Sequence, residues 1–446
     1  MTKKQTKTNL SRLTEYLFYI FVFLLPWQTR WIIKSGKIAG QFWEYGSFSL
    51  YATDILLVIL LLAYLINGQR HRQLGKMVNK LWPLILAFLF INFISILIAF
   101  DKGIAAYGFI KILEAVVLFY LVLRLPISIK KTSLVLVGSA SLQVVFSLWQ
   151  FFAQKVVPFK WLGLSEQLPL ESGVYVIENI MGRFLRAYGS LHPIILSYFL
   201  TITLIIVLGL YFMAQKRSQE LFVYAALYLI VLGLILAFGR VAWLATLVAL
   251  VLLWMFIWWQ LSKRGKRKLT WLTGAVLLGA LVFGLVFQDL VITRFQAEER
   301  LEQVSFEERA YYIKDASQLI KEHWYEGVGV YNFTEAAKEE ISGSREAWNY
   351  QPPNNLFILI LAETSIFGLF IFLWLIWEIF RIVYQKFKKL DLKKDFWFVI
   401  YTIGVILLLI TGFFDHTYWT LQFGLLFFWL ILGLWARSLD LTDSPE

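Results

Sequence analysis

Apolar residues fill this chain in blocks about twenty residues long, divided by short charged connections. A hydrocarbon core of about 30 Å takes roughly 20 apolar residues of helix. On that measure the blocks predict about twelve membrane spans: 14–27, 50–67, 81–100, 105–123, 133–153, 190–213, 221–238, 241–261, 269–287, 355–379, 396–413 and 418–436. The run from Leu221 to Leu261 has no polar break, and as one helix it would be about 60 Å long; a turn at Gly239-Arg240 divides it in two. One long segment interrupts the pattern, the polar stretch from Gln288 to Asn354. Within it, Arg309 to Trp324 places Tyr312, Ala316, Leu319, Ile320 and His323 or Trp324 on one side. That spacing predicts an amphipathic helix of about four turns against the membrane surface, ended by Gly327 and Gly329.

Composition agrees with the pattern. The 446 residues are 59% hydrophobic, 18% aromatic and only 16% charged, with a mean hydropathy of +0.66, whereas a soluble domain carries about 25% charge. The expected fold class is therefore all-α: a polytopic transmembrane helical bundle of about twelve spans. Its domains would be spans 1–9 over 1–287, an external loop or lid carrying amphipathic helices over 288–354, spans 10–12 over 355–437 and a polar tail over 438–446. The formal net charge of +12 would also suit a basic nucleic-acid-binding protein. Here the charge sits in short clusters between apolar runs, so no nucleic-acid partner is expected, and the lipid bilayer is. Cysteine is absent, which excludes disulfides and thiolate metal sites.

Orientation follows from where lysine and arginine fall in the short loops. Alternate connections carry Arg70/Arg72/Lys76/Lys80, Arg124/Lys130/Lys131, Lys216/Arg217, Lys263 to Lys268, and Lys386 to Lys394. With twelve spans all of these share one side with the N-terminal Lys3, Lys4, Lys7 and Arg12, which predicts that both termini are cytoplasmic. The N-terminus resembles a signal peptide, but no small-residue cleavage site follows Leu25-Pro26-Trp27, so it reads as a retained first span. Against the trend, the first external loop carries Arg30, Lys34 and Lys37. The external side also receives 154–189, the turn at Arg240, the long polar segment and the turn Asp415-His416-Thr417.

Candidate chemistry concentrates on that external side. Arg183 and Arg186 precede the sixth span, Arg240 sits at the outer turn, and Arg309 heads the amphipathic stretch. Each alone is open to a reading as an interfacial side chain reaching for water. Together they suit an anion, because a guanidinium binds phosphate bidentately and stays charged; a pyrophosphate at the outer face is the natural ligand. Lys111 and Glu114, three apart in the fourth span, and Glu363 in the tenth lie roughly 10–14 Å deep at helical rise. They read either as a charge pair holding helices in register or as groups lining a site. His192 before Pro193 reads as a helix cap and His323 as structural. His416, after Asp415, is a candidate for proton transfer with Asp415 orienting the imidazole. No phosphate-binding glycine loop or external Asp-x-Asp occurs, so neither a nucleotide cofactor nor a metal is expected.

Four stretches resemble the O-antigen ligase/O-antigen polymerase family of bacterial membrane glycosyltransferases. They are Arg183 to Pro193; Gly239-Arg240-Val241-Ala242-Trp243; Arg309…Gly327-Val328-Gly329…Asn332-Phe333; and Asn354-Asn355-Leu356-Phe357…Ala362-Glu363…Gly368-Leu369. The chain departs from the family where Asn354-Asn355 stands in place of His-Asn, and where Ser365 stands for the usual glycine after Ala-Glu-x. The resemblance implies a GT-C-like enzyme of the bacterial cytoplasmic membrane. It would move a glycan from an undecaprenyl-diphosphate-linked donor to a glycan, lipid or protein acceptor without a cofactor. It implies Arg186, Arg240 and Arg309 on the diphosphate with Arg183 nearby, and Asn354, Asn355, Glu363, Asp415 and His416 toward the acceptor. In place of the missing histidine either the arginines act alone, or His416 supplies the group, or the chain is a polymerase-like or degenerate member. A transporter or flippase of lipid-linked glycans is the competing reading; it calls for ionisable or broken helices near the midplane and for similar halves, and no half-to-half similarity is evident.

Overall fold

A computed structural model describes residues 9–66, 75–296, 298–341 and 345–439. The cluster Lys3, Lys4 and Lys7, the connection with Arg70 and Arg72, and the tail from 440 lie outside the described residues. Helices lie over every predicted block: α1 (Asn9–Leu24), then the hairpin β1 (Arg30–Ile38) and β2 (Gln41–Tyr51), α2 (Ala52–Ile66), α3 (Lys76–Asn79), α4 (Trp82–Ile98), α5 (Lys102–Arg124) and α6 (Ile129–Ala153). A second hairpin, β3 (Val176–Asn179) and β4 (Gly182–Leu185), precedes α7 (Pro193–Phe212), α8 (Arg217–Leu236), α9 (Arg240–Ile257) and α10 (Lys263–Val286). The long polar segment holds α11 (Gln288–Gln296), α12 (Arg300–His323) and α13 (Phe333–Glu340). The chain closes with α14 (Leu356–Phe387), α15 (Leu392–Phe413), α16 (Thr417–Thr420) and α17 (Gln422–Leu439). Among the described residues ten helices are long and apolar enough to cross a membrane, and α2 is a shorter apolar helix. The all-α helical bundle is therefore present. α7 and α17 are its most enclosed members, packed against α15, α5 and α8.

The helix starts follow local chemistry. Asp101 accepts the N–H groups of Gly103 and Ile104, Asn355 those of Phe357 and Ile358, and Asp391 that of Lys393, satisfying donors that the first turn leaves without partners. His192 behaves as read from the sequence: its Nδ1 accepts the N–H of Ile194, with Pro193 at the first helical position.

Two loops differ from expectation by forming antiparallel hairpins. β1–β2 turns through Ala39 and Gly40, both at positive φ (51° and 82°), the backbone that a two-residue hairpin turn demands. Its discordant Arg30 is ion-paired with Glu44 across the strands. The amphipathic helix also starts nine residues earlier than Arg309, at Arg300. The stretch 300–308 is rich in good helix formers but carries no apolar period to mark it. α12 buries Tyr312, Ala316 and Leu319 as expected, together with Asp315, and packs on α13 and α14.

α14 is broken. Ser365 sits at φ 68°, ψ 178° inside the helix, a conformation open almost only to glycine. The end of the long polar segment fills the break: Val328 N–H donates to Ala362 O at 2.9 Å, Gly329 N–H to Glu363 O at 3.0 Å, and Ile366 N–H to Trp324 O at 3.0 Å. Gly327 is required there, since a Cβ on it would lie 2.5 Å from Glu363 O and its φ is +77°.

Candidate functional site

The turn between α8 and α9 gathers arginines from three parts of the chain. A helix C-terminus leaves its last carbonyls without partners and carries partial negative charge. Here Leu236 O accepts the N–H of Ala187 at 2.9 Å. Ala237 O accepts Nε and Nη2 of Arg186 at 2.8 and 2.5 Å. Phe238 O accepts Nε of Arg294 at 3.2 Å. Phe238 itself is at positive φ (49°), which reverses the chain so that α9 begins at Arg240. Gly239 is needed because a Cβ there would lie 2.5 Å from Ser197 Oγ on α7.

Glu302, in the first turn of α12, sits between two of these cations. Its carboxylate pairs with Arg294 and, at 3.3 Å, with Arg240. Arg240 also donates to Arg294 O at 3.2 Å and covers the Phe306 ring at 4.8 Å. Arg309, one turn further along α12, makes no hydrogen bond or ion pair among the described residues, yet its charge acts on Arg240, Tyr175 and Tyr198. Burial, then the charge of Arg294, lowers the pKa of Arg186 to about 9. Glu302 thus bridges two of the four guanidiniums, Arg240 and Arg294, which leaves a surplus of positive charge in a partly dry site.

Tyr175 and the α15–α17 connection form the opposite wall. Burial pushes the Tyr175 hydroxyl up, and Arg186, Asp415, Glu308 and Arg309 all act on it. Its ring stands edge-on to His192 at 3.8 Å between centroids. His192 is driven down to about 3 by burial and by the charges of Arg186 and His416, so it is a neutral cap. Burial also lowers His416, with Asp415 opposing. Asp415 does not orient the imidazole, however. Its oxygens accept from Thr417 N–H at 3.0 Å and Tyr198 OH at 3.5 Å, while His416 Nδ1 is bonded to Thr420 Oγ1 at 2.7 Å. Four residues on from His416, Thr420 lies one turn away and reaches the ring first.

The structure separates several residues that the sequence had grouped. Arg183 lies on β4, 3.6 Å from Glu178, which also holds Arg300; it is part of the hairpin's own charge network. Asn355 is spent on capping α14 and donates to Phe413 O at 2.8 Å. Asn354 beside it is half-buried, with no hydrogen bond among the described residues. Glu363 accepts Tyr331 N–H at 2.8 Å, Phe333 N–H at 3.3 Å and Trp419 Nε1–H at 2.6 Å, so its carboxylate clasps the lid. Lys111 pairs first with Asp54 of α2 and then with Glu114 at 3.3 Å, and Gln422 donates to both carboxylates at 2.5 and 3.2 Å. That network joins α2, α5 and α17. The sequence reading missed Asp54, because a lone carboxylate opening an apolar block looks like a helix start. It also missed Arg294, Glu302 and Tyr175, whose roles arise only where separate elements meet.

The fold and this centre define a multi-pass helical membrane protein with arginines concentrated at the loop end of its bundle. Residues 224–373 match the O-antigen ligase family model, which supports the family assignment that the motifs suggest. The matched stretch runs from α8 into α14 and includes Arg240, Arg294, Glu302, Arg309 and Glu363. No curated protein matches the chain significantly. The family supports a glycan-transferring membrane enzyme, with a lipid-linked glycan and the bilayer as partners.

Proposed function

We propose that the chain is a glycosyltransferase at the outer face of the bacterial cytoplasmic membrane. It moves a glycan from an undecaprenyl-diphosphate-linked donor to a glycan, lipid or protein acceptor, as a ligase or a polymerase. The observation that carries this reading is the gathering of Arg186, Arg240, Arg294 and Arg309 at the α8–α9 turn, close enough for their charges to act on one another, with Glu302 bridging Arg240 and Arg294. The acceptor hydroxyl oxygen forms its bond to the anomeric carbon, the bond from that carbon to the phosphate oxygen breaks, the electron pair leaves with the diphosphate, and the hydroxyl proton passes to solvent or to that diphosphate. Arg309, with no hydrogen bond or ion pair among the described residues, and Arg240 neutralise the growing negative charge. Such preorganised charge is worth about 3–4 kcal/mol per group. Arg186 and Arg294, tied to the α8 carbonyls, fix the shape of the cradle. Asn354 and His416 face the acceptor side, with the His416 ring held by Thr420.

The test is glycan transfer in membranes by Arg240→Ala, Arg240→Lys, Arg309→Ala and Arg309→Lys. Parental rates in the variants at both positions sink the diphosphate role. A flippase is the second reading, favoured by the break in α14 at Ser365. The groups freed at that break are bonded to the lid, which leaves them unavailable to a cargo. Movement of a labelled lipid-linked glycan across vesicles of the purified protein, with no transfer product, decides for the flippase.

A further inference from the structure

Beside the arginine centre the lid opens a cleft of about 560 Å³, within the range of small-molecule sites. One wall is α12, which presents Glu307, Glu308, Tyr311 and Tyr312; the spacing i, i+1, i+4, i+5 sets them along one side of the helix. The facing wall is the stretch 345–349, with Arg345, Glu346 and Asn349, and Ala39 at the tip of β1–β2 closes the end. Tyr311 remains 40% exposed, while Tyr312 is buried at the base. Arg345 does not offer free positive charge. Its Nη1 and Nη2 both donate to Asp315, at 2.5 and 3.2 Å, and its guanidinium lies over Tyr311 at 4.4 Å. With Asp315 matching Arg345, the carboxylates of Glu307, Glu308 and Glu346 leave the cleft acidic. Aromatic surface beside carboxylate and amide acceptors suits the hydroxyls and C–H faces of sugar rings.

The cleft and the arginine centre adjoin. Glu308 precedes Arg309, and its charge acts on both Tyr312 and Tyr175, the latter also under Arg186 and Arg309. One side of this junction collects cations and the other collects carboxylates.

We propose that the cleft is the acceptor subsite and takes a saccharide that is uncharged or carries amino groups, excluding uronic acids and phosphorylated sugars. The inference rests on the transferase reading for the word acceptor, but not for binding itself. An anionic sugar would meet three carboxylates with no free cation among the lining residues, and like charges at close range repel. The diphosphate goes to the arginines instead, so donor and acceptor are sorted by charge.

The experiment is saturation-transfer NMR on the purified full chain in nanodiscs, without donor. The probes are neutral glucan and N-acetylglucosamine tetrasaccharides, with a galacturonate tetrasaccharide as the anionic comparator. The neutral or N-acetylated probe binds, the galacturonate does not, and Tyr311→Ala weakens binding about tenfold while Tyr311→Phe retains it. Glu307→Gln combined with Glu346→Gln admits the galacturonate. A melting temperature near the parental value certifies each variant as folded. Equal binding of neutral and anionic probes, failure of every neutral probe, or parental binding by folded Tyr311→Ala overturns the inference. Because the readout needs neither donor nor turnover, unimpaired transfer by the Arg240 and Arg309 variants counts against the arginine reading alone.

Discussion

The carboxylate of Glu363, inside an apolar helix, accepts the main-chain N–H of Tyr331 at 2.8 Å. It thereby fastens the end of the long polar segment into the bundle. Phe333 N–H and Trp419 Nε1–H complete its partners, so three donors from two other segments satisfy one buried charge. This accounts for an intramembrane glutamate without assigning it to a substrate. Glu363→Gln turns one acceptor oxygen into a donor facing donors, which costs about 2 kcal/mol. The expected result is a lower melting temperature in detergent and faster hydrogen exchange over 327–333, with exchange in α5 unchanged.

Ser365 occupies a position where glycine would be at ease. At φ 68°, ψ 178° a side chain costs about 1–3 kcal/mol, so Ser365→Gly raises the melting temperature. Gly327→Ala lowers it, because the new Cβ meets Glu363 O as well as a strained φ. Thermal unfolding of the two variants checks both signs.

Asn354 and Asn355, adjacent in sequence, separate by role. Asn355→Ala removes a cap and the bond to Phe413 O, a loss of about 1 kcal/mol or more. Asn354→Ala leaves the melting temperature unchanged and, on the proposed function, slows transfer. Measuring stability and transfer side by side tells them apart; the reverse pattern rejects the assignment.

His323 links α12 to α13. Burial alone would lower its pKa, but hydrogen bonds to Glu340 and Glu326 outweigh that and raise it. A folded pKa above the unfolded value of about 6.5 gives a stabilisation that is complete below that pH and is lost as pH rises through the folded value. The opening free energy from hydrogen exchange over 323–340, with the intrinsic base-catalysed rate divided out, is therefore expected to fall between mildly acidic and alkaline pH. In His323→Gln that pH step disappears.

Arg309 makes no hydrogen bond or ion pair among the described residues, so Arg309→Ala leaves stability near parental while transfer falls about hundredfold to thousandfold. Glu302→Gln acts in the opposite order. Removing the carboxylate between Arg240 and Arg294 leaves two like charges unbridged, and the melting temperature drops first. Parallel melting and transfer curves for the two variants check this contrast.

The sequence by itself determined the membrane bundle, because a hydrocarbon core dictates segment length and hydropathy residue by residue. It also determined the turn at Gly239-Arg240, since a single helix of that length would overshoot the bilayer, and the capping role of His192, which is local chemistry. It carried the arginine set in outline through Arg186, Arg240 and Arg309. Only the tertiary structure decided which partners those residues take. Asp54 reaches Lys111 across 57 positions, and Glu302 reaches Arg240 across α9, α10 and α11; neither separation has a periodic signature. The two hairpins lay hidden because strands that mix polar and apolar residues within the loops leave no hydropathy block. The pairs read from adjacency, Asp415 with His416 and Asn354 with Asn355, came apart because neighbours along the backbone point in different directions, and the nearest suitable hydrogen-bonding group in space captures each side chain.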